Sequence, residues 1–240
     1  DARHGVLRTC ATLRRLAPAP LRQASHVLPA QPSGGLRAHR AARQYPPLQH
    51  RGFAMILLRH GQSEFNLHFS ATRRDPGIKD PKLTALGHEQ AEAAAEALAR
   101  AQEIRRIIAS PYTRALQTAA PLARRLGLPV LVNPVVRERY AFSCDVGSPV
   151  TALRGEWPGL TLDHLEEVWW PLEEEPAEQV LARAARFRGE MASLEDWAHT
   201  VVVSHWGFIL SMTGQSVANG QWLPCDPTEP ALQDVVWKHH

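Results

Sequence analysis

Three short apolar runs, each ending in a polar segment and leading into a helix-like stretch, constrain this chain most. They cover residues 55–58, 104–109, the second carrying Arg105 and Arg106 before Ile107-Ile108-Ala109, and 201–203. Strands that are apolar throughout need cover on both faces, and strand–helix alternation supplies it through crossover helices around a parallel sheet. The pattern predicts an α/β fold, a three-layer α/β/α sandwich around a mostly parallel central sheet. Residues 129–132 and the pair Val135-Val136 are further strand candidates. Leu83-Thr84-Ala85-Leu86-Gly87 leads into a helix whose Ala91, Ala94, Ala95 and Leu98 share one face. Ser110-Pro111 reads as the N-cap and first residue of the next helix, which stops at Gly127. Apolar residues recur at spacings of four and three over 176–199, predicting a long helix, and another apolar helix is expected over about 207–217. Residues 140–175 are irregular, with Trp157, Trp169 and Trp170 and an acidic run at 173–175. They read as a lid or insertion within a domain spanning 55–240.

Residues 1–54 differ in kind. They hold nine arginines, six prolines and one acid, Asp1, so they carry +8 and leave −5 for the rest of a chain whose total is +3. A basic chain suggests nucleic acid as partner, but here the basic charge is confined to this segment and the expected domain is acidic. The segment reads as a disordered extension. Its arginine-rich, acid-poor composition also fits an organelle-targeting peptide. Because no methionine precedes Met55, which stands directly before the first apolar run, a non-native extension or a mis-assigned start is a third reading. No apolar run approaches the roughly 20 residues that span a bilayer, so no membrane role is expected. Cys10, Cys144 and Cys225 are odd in number and widely separated, which predicts no disulfide framework and a cytoplasmic, reducing compartment.

The polar segments after the three runs are Arg59-His60-Gly61-Gln62-Ser63, Ser110-Pro111-Tyr112-Thr113-Arg114 and Ser204-His205-Trp206-Gly207. Parallel strands place their carboxyl ends on one edge, where α/β proteins bind ligands. Two histidines and two arginines should therefore converge there. Arginine offers oxyanions a planar, permanently charged fork. A neutral imidazole can attack phosphorus and split hydrolysis into two easier steps. Cations around the equatorial oxygens serve the loose transition state, and the leaving oxygen needs a general acid.

Four segments together carry a resemblance to a known family. Leu58-Arg59-His60-Gly61-Gln62-Ser63-Glu64-Phe65-Asn66 is similar to the RHG signature of the histidine phosphatase superfamily, in its phosphoglycerate-mutase-like branch. Residues 83–91 resemble that family's LTxxGxxQA segment, 110–119 its SPxxRAxQTA helix, and Ser204-His205-Trp206-Gly207 its SHGG-like turn. The resemblance implies that His60 is the nucleophile that becomes phosphorylated. It implies that Arg59 and Arg114 bind phosphoryl oxygens, that His205 completes their pocket, and that Ser63 and Asn66 help hold phosphate or substrate. Glu138, in an "ER" pair with Arg139, matches the family's acid. The expected activity is hydrolysis of a small phosphorylated metabolite, with no cofactor and no metal.

The departures count as well. The stretch after the ER pair reads Tyr140-Ala141-Phe142-Ser143-Cys144-Asp145 where mutases of this branch have a YGxLxGLNK-like sequence, and their GW-D segment is missing. Both favour hydrolysis over mutase transfer. A catalytically idle phospho-ligand binder is the remaining alternative. Trp206 stands where the family's turn has glycine, which narrows the expected pocket. Ser63 and Asn66 also suit a turn or helix cap, and Asp145 and Glu64 are alternatives to Glu138 as the acid. Two histidines are too few for a typical zinc site, and the nearby arginines oppose a cation.

Overall fold

The computed structural model describes residues 54–237. The expected basic extension, apart from Ala54, lies outside the described residues. The strands are β1 (Met55–Arg59), β2 (Arg106–Ala109), β3 (Val130–Val132), β4 (Thr200–Ser204) and β5 (Trp222–Cys225). They form one five-stranded sheet in the order β3-β2-β4-β1-β5. All neighbours pair parallel except β5, which runs antiparallel to β1 at the edge. The helices are α1 (Glu64–Thr72), α2 (Ala85–Ala101), α3 (Thr113–Leu126), α4 (Val150–Glu156), α5 (Ala177–Ala192) and α6 (Trp206–Thr213).

Side chains alternate across a strand, and here the alternation divides the core in two. Ile56, Leu58, Ile107, Ala109, Val201 and Val203 pack with the alanine face of α2 and with Ala115, Leu116, Ala119 and Leu122 of α3. Met55, Leu57, Ile108 and Val202 pack on the other side with Ala184, Phe187 and Met191 of α5 and Phe208, Ile209 and Met212 of α6. That is the expected three-layer sandwich, and it explains why these strands carry no polar alternation.

Several boundaries differ from the sequence reading. Val135-Val136 is not a strand. Asn133 accepts a hydrogen bond from the Val135 N–H (2.9 Å) and turns Pro134–Val136 into a single 3-10 turn. Ser110-Pro111 does not open α3, which begins at Thr113 with Tyr112 as its N-cap residue. Asp80, from a distant loop, supplies the cap instead: its carboxylate accepts from the Thr113 N–H at 2.9 Å and the Thr113 hydroxyl at 2.7 Å. The long helix stops at Ala192, and the apolar spacing continues only because Leu194 and Trp197 pack on the same core beyond its end. Helix α6 ends at Thr213, where Gly214 adopts φ 70° and accepts the left-handed turn that a side chain resists. The irregular stretch 140–175 contains α4, and Val150, Leu153, Leu162 and Trp169 join the α2–α3 side of the core. At those positions the stretch packs on the core, while half of its residues are exposed. Helix α1 and strand β5 have no counterpart in the sequence reading.

Candidate active site

His60 follows β1 and is 3% exposed. Its Nδ1 lies 2.7 Å from the Gly61 carbonyl, which only accepts, so Nδ1 carries the hydrogen and Nε2 keeps its lone pair. The surrounding loop is gripped by residues of the motifs that precede α2 and run through α3. The Thr118 hydroxyl accepts from the Gly61 N–H (3.1 Å), Gln90 Oε1 accepts from the Gln62 N–H (2.8 Å), and the Thr84 N–H donates to the Gln62 carbonyl (2.9 Å). Gly61 and Gly87 are glycines because two backbones meet there. A Cβ on Gly87 would sit 2.1 Å from the Gln62 carbonyl oxygen, and one on Gly61 would sit 2.3 Å from that of Gly87. Gly87→Ala is expected to cost about 1–3 kcal/mol of unfolding free energy, the range for forcing a methyl into a filled site, measured by denaturant titration. An unchanged midpoint would show that the loop yields freely.

Parallel pairing of β2, β4 and β1 brings the three polar segments to one edge. The His60 and His205 rings stand 5.0 Å apart, and Tyr112 lies edge-on to His205 at 5.1 Å. His205 is fully buried, and among the described residues neither of its ring nitrogens has a hydrogen-bond partner. Burial, then the nearby charge of Arg114, holds both histidines well below the ordinary imidazole range, so both are neutral at neutral pH. Arg59 donates from Nη1 to the Val217 carbonyl at 2.7 Å, and its Nε is buried without a partner. Burial lowers its pKa to about 10, which still leaves it charged. Arg114, 2% exposed, donates to the Cys144 carbonyl at 2.7 Å and to Asp145 Oδ1 at 3.3 Å. Asp145 is buried, and its Oδ2 accepts from the N–H groups of Ala141 and Phe142, both at 3.0 Å.

Glu138 sits beyond the 3-10 turn that follows β3. Its Oε1 accepts from the Arg139 N–H at 2.8 Å and from the Gly207 N–H, in the first turn of α6, at 2.9 Å. Both anchors fall on one oxygen, which leaves Oε2 for a proton. Burial, followed by the charge of Asp145, raises Glu138 to about 7. A Cβ at Gly207 would come within 2.5 Å of Oε1, so glycine is required there for contact with the acid. Arg183 of α5 fixes the backbone beneath Glu138 by donating to the carbonyls of Val135 (2.7 Å) and Arg137 (2.8 Å). Glu175, 3% exposed, binds Arg183 at 2.7 Å and Arg137 at 2.8 Å. Glu175→Ala leaves two cations without their partner and is expected to cost about 3–5 kcal/mol, read as a lowered unfolding midpoint. A loss below about 1 kcal/mol, the scale of a solvated pair, would show that water replaces the carboxylate.

A cavity of about 530 Å³ opens over this edge, lined by Arg59, His60, Arg114, Glu138 and Asp145 among others. Over residues 55–229 the chain matches the family model described as histidine phosphatase superfamily (branch 1). It belongs to the histidine phosphatase superfamily, branch 1. Among its relatives is a glucosyl-3-phosphoglycerate phosphatase of Mycolicibacterium vanbaalenii, 33% identical over 207 residues that cover 76% of this chain and 81% of that one. A protein of the same name from Mycobacterium tuberculosis is 31% identical over 172 residues, covering 68% and 74%. A solved structure of a mycobacterial glucosyl-3-phosphoglycerate phosphatase complexed with VO3 is similar at 29% identity and a TM-score of 0.51, covering 71% of this chain and 91% of that one.

As in the histidine phosphatase reading of the sequence, His60, Arg59, Arg114, His205 and Glu138 come to one edge. His205 lies behind the cavity surface. Ser63 and Asn66 line the cavity, but they also cap α1 reciprocally: the Asn66 N–H donates to Ser63 Oγ, and Asn66 Oδ1 accepts from the Ser63 N–H at 3.1 Å. Glu64 is exposed at the start of α1 and does not line the cavity. Of the basic residues in the loop after α1, Arg73 lines it, whereas Arg74 and Lys79 do not. The sequence reading passed over Asn219, whose Nδ2 donates to the His60 carbonyl at 3.2 Å and to Asn66 Oδ1 at 3.0 Å. It also passed over Trp237, which lines the cavity from the segment after β5. Neither carries a local signal, because their partners are remote in sequence. Among the described residues, no helix is long and apolar enough to cross a membrane, and no three His, Cys, Asp or Glu side chains gather to hold a metal ion.

Proposed function

We propose that this chain hydrolyses the phosphate monoester of a small metabolite through a phosphohistidine on His60. The observation that carries the reading is the His60 tautomer: Nδ1 is committed to the Gly61 carbonyl, and Nε2 is free on a neutral ring between two arginines. In the first step the Nε2 lone pair bonds to phosphorus as the ester P–O bond breaks. Glu138, protonated on Oε2, gives its proton to the departing alkoxide, so the alcohol leaves neutral. Arg59 and Arg114 take the equatorial oxygens, and an N–H of His205 finds there an acceptor that the described residues do not offer. Asp145 holds the Arg114 fork at a fixed angle. In the second step the ionised Glu138 takes a proton from water, whose oxygen displaces Nε2 and releases phosphate. Ser63 and Asn66 serve chiefly by fixing the loop and the start of α1 beside the phosphate.

The reading needs no metal ion and no cofactor, and its partner is the phosphorylated metabolite alone, without nucleic acid or membrane. Cys144 and Cys225 are buried free thiols, which supports the reducing, cytoplasmic compartment read from the sequence. The test is a panel of phosphate monoesters in EDTA, including p-nitrophenyl phosphate, 3-phosphoglycerate and glucosyl-3-phosphoglycerate, the last taken from the name of the relatives. Phosphate release from at least one is expected. Binding of phosphate without release from any would mark an idle binding protein. Isomerisation of 3-phosphoglycerate to 2-phosphoglycerate faster than its hydrolysis would mark a mutase.

A further inference from the structure

We propose that the cavity selects phosphate monoesters whose alcohol bears a flat ring, packed against a wall made by Trp206 and Trp237. The proposal rests on the phosphatase reading above for its phosphate end and adds the class of leaving group. Phe, Trp and Tyr make up 7% of the chain, yet five of the 23 residues lining the cavity are Phe or Trp. The base, with His60 and the two arginines, is polar and cationic. The whole cavity, at about 530 Å³, falls in the range of pockets that enclose ligands larger than phosphate alone.

The two tryptophans arrive independently. Trp206 occupies the position after His205 where the resembled turn has glycine, and it is half-buried. Its Nε1 donates to the Ser216 hydroxyl at 2.8 Å, which fixes the plane of the ring. Trp237 reaches the same cavity from the segment after β5, with its ring centre 6.0 Å from that of Trp206 at 68°. The Arg139 guanidinium lies 4.9 Å over the Trp237 ring and is tied to Glu174 (3.0 Å) and to the Glu175 carbonyl (2.9 Å). Arg139 therefore braces an aromatic surface, with much of its hydrogen-bonding capacity already used. Phe142 lines the cavity too and packs with Phe65 and Phe69 at 5.7 and 5.3 Å. Rigid aromatic faces lose little entropy on binding and favour flat partners, whether an aromatic ring or the C–H face of a sugar.

The test reads binding, so it does not depend on turnover. Calorimetry gives the affinities of phenylphosphonate and methylphosphonate, neither of which is hydrolysed, for the wild type, Trp237→Leu and Trp206→Gly. The wild type is expected to favour phenylphosphonate about tenfold, the ratio an added aromatic contact supports. Both variants should keep wild-type affinity for methylphosphonate and lose most of the preference. Glucose 6-phosphate titrated into His60→Ala, with and without Trp237→Leu, distinguishes a sugar ring from an aromatic one as the ring accepted. Equal affinity of the wild type for the two phosphonates overturns the proposal, as does a preference that survives in both variants. A protein that hydrolyses nothing but keeps the ring preference would refute the phosphatase reading and leave this one standing.

Discussion

His60→Ala is expected to lower kcat for every substrate by about four orders of magnitude or more, the scale seen when a nucleophile acting within a coupled set is removed. Its fold should survive. The alanine keeps the backbone bonds that fix the loop, namely the His60 N–H to the Ser204 carbonyl (3.0 Å) and the Gly220 N–H to the His60 carbonyl (3.1 Å). The loop is also held from outside by Gln90, Thr118 and Asn219. Acid-labile, alkali-stable phosphate trapped on the wild-type chain, and absent from the variant, would locate the covalent intermediate. Turnover in His60→Ala within tenfold of the wild type would remove His60 from the chemistry and direct attention to water as the attacking group.

Glu138→Gln should lower kcat for alkyl phosphates by about 10² to 10⁴-fold, the usual contribution of a positioned acid, and by much less for p-nitrophenyl phosphate, whose leaving group needs little help. The pH profile carries the sharper signature. A carboxyl raised to about 7 is protonated and competent below that pH, and activity falls as pH rises through it. His60 and His205 stay neutral well below the usual imidazole range, so the nucleophile is not lost on moderate acidification. The expected profile is an acid-shifted plateau with its alkaline limb near pH 7. Asp145→Asn removes the negative charge that, after burial, does most to raise Glu138, so the limb should move to lower pH. An alkaline limb unmoved in Glu138→Gln would assign the titration to another group.

The legible parts of the sequence were those where both faces of an element are buried. Strands β1, β2 and β4 each hold three or four consecutive apolar residues because helices cover both sides. The polar residues at their ends then gathered on one edge through parallel pairing alone. Helix α1 was illegible because Phe65 is its single buried residue, so its amphipathic pattern is faint. Strand β5 was hidden by Pro224, which is tolerated because β5 is an edge strand. Val135-Val136 had strand-like residues, but Asn133 and Pro134 set a turn that outweighed them. The distant anchor of Glu138 was out of reach for a different reason. The Gly207 N–H is 69 positions away, and no local periodicity records such a contact.

The meeting of Gly61 and Gly87 restricts how such a protein can change over time. A crowded contact between side chains can be repaired by shrinking the neighbour, but here each Cβ would strike a peptide carbonyl, and a backbone has no smaller form. A smaller neighbouring side chain cannot relieve either contact, so a substitution at one position is not offset by a substitution at the other. The walls that carry Phe142, Trp206 and Trp237 have no such lock. Descendants of this chain are free to exchange these wall residues while inheriting the loop that seats His60 unaltered.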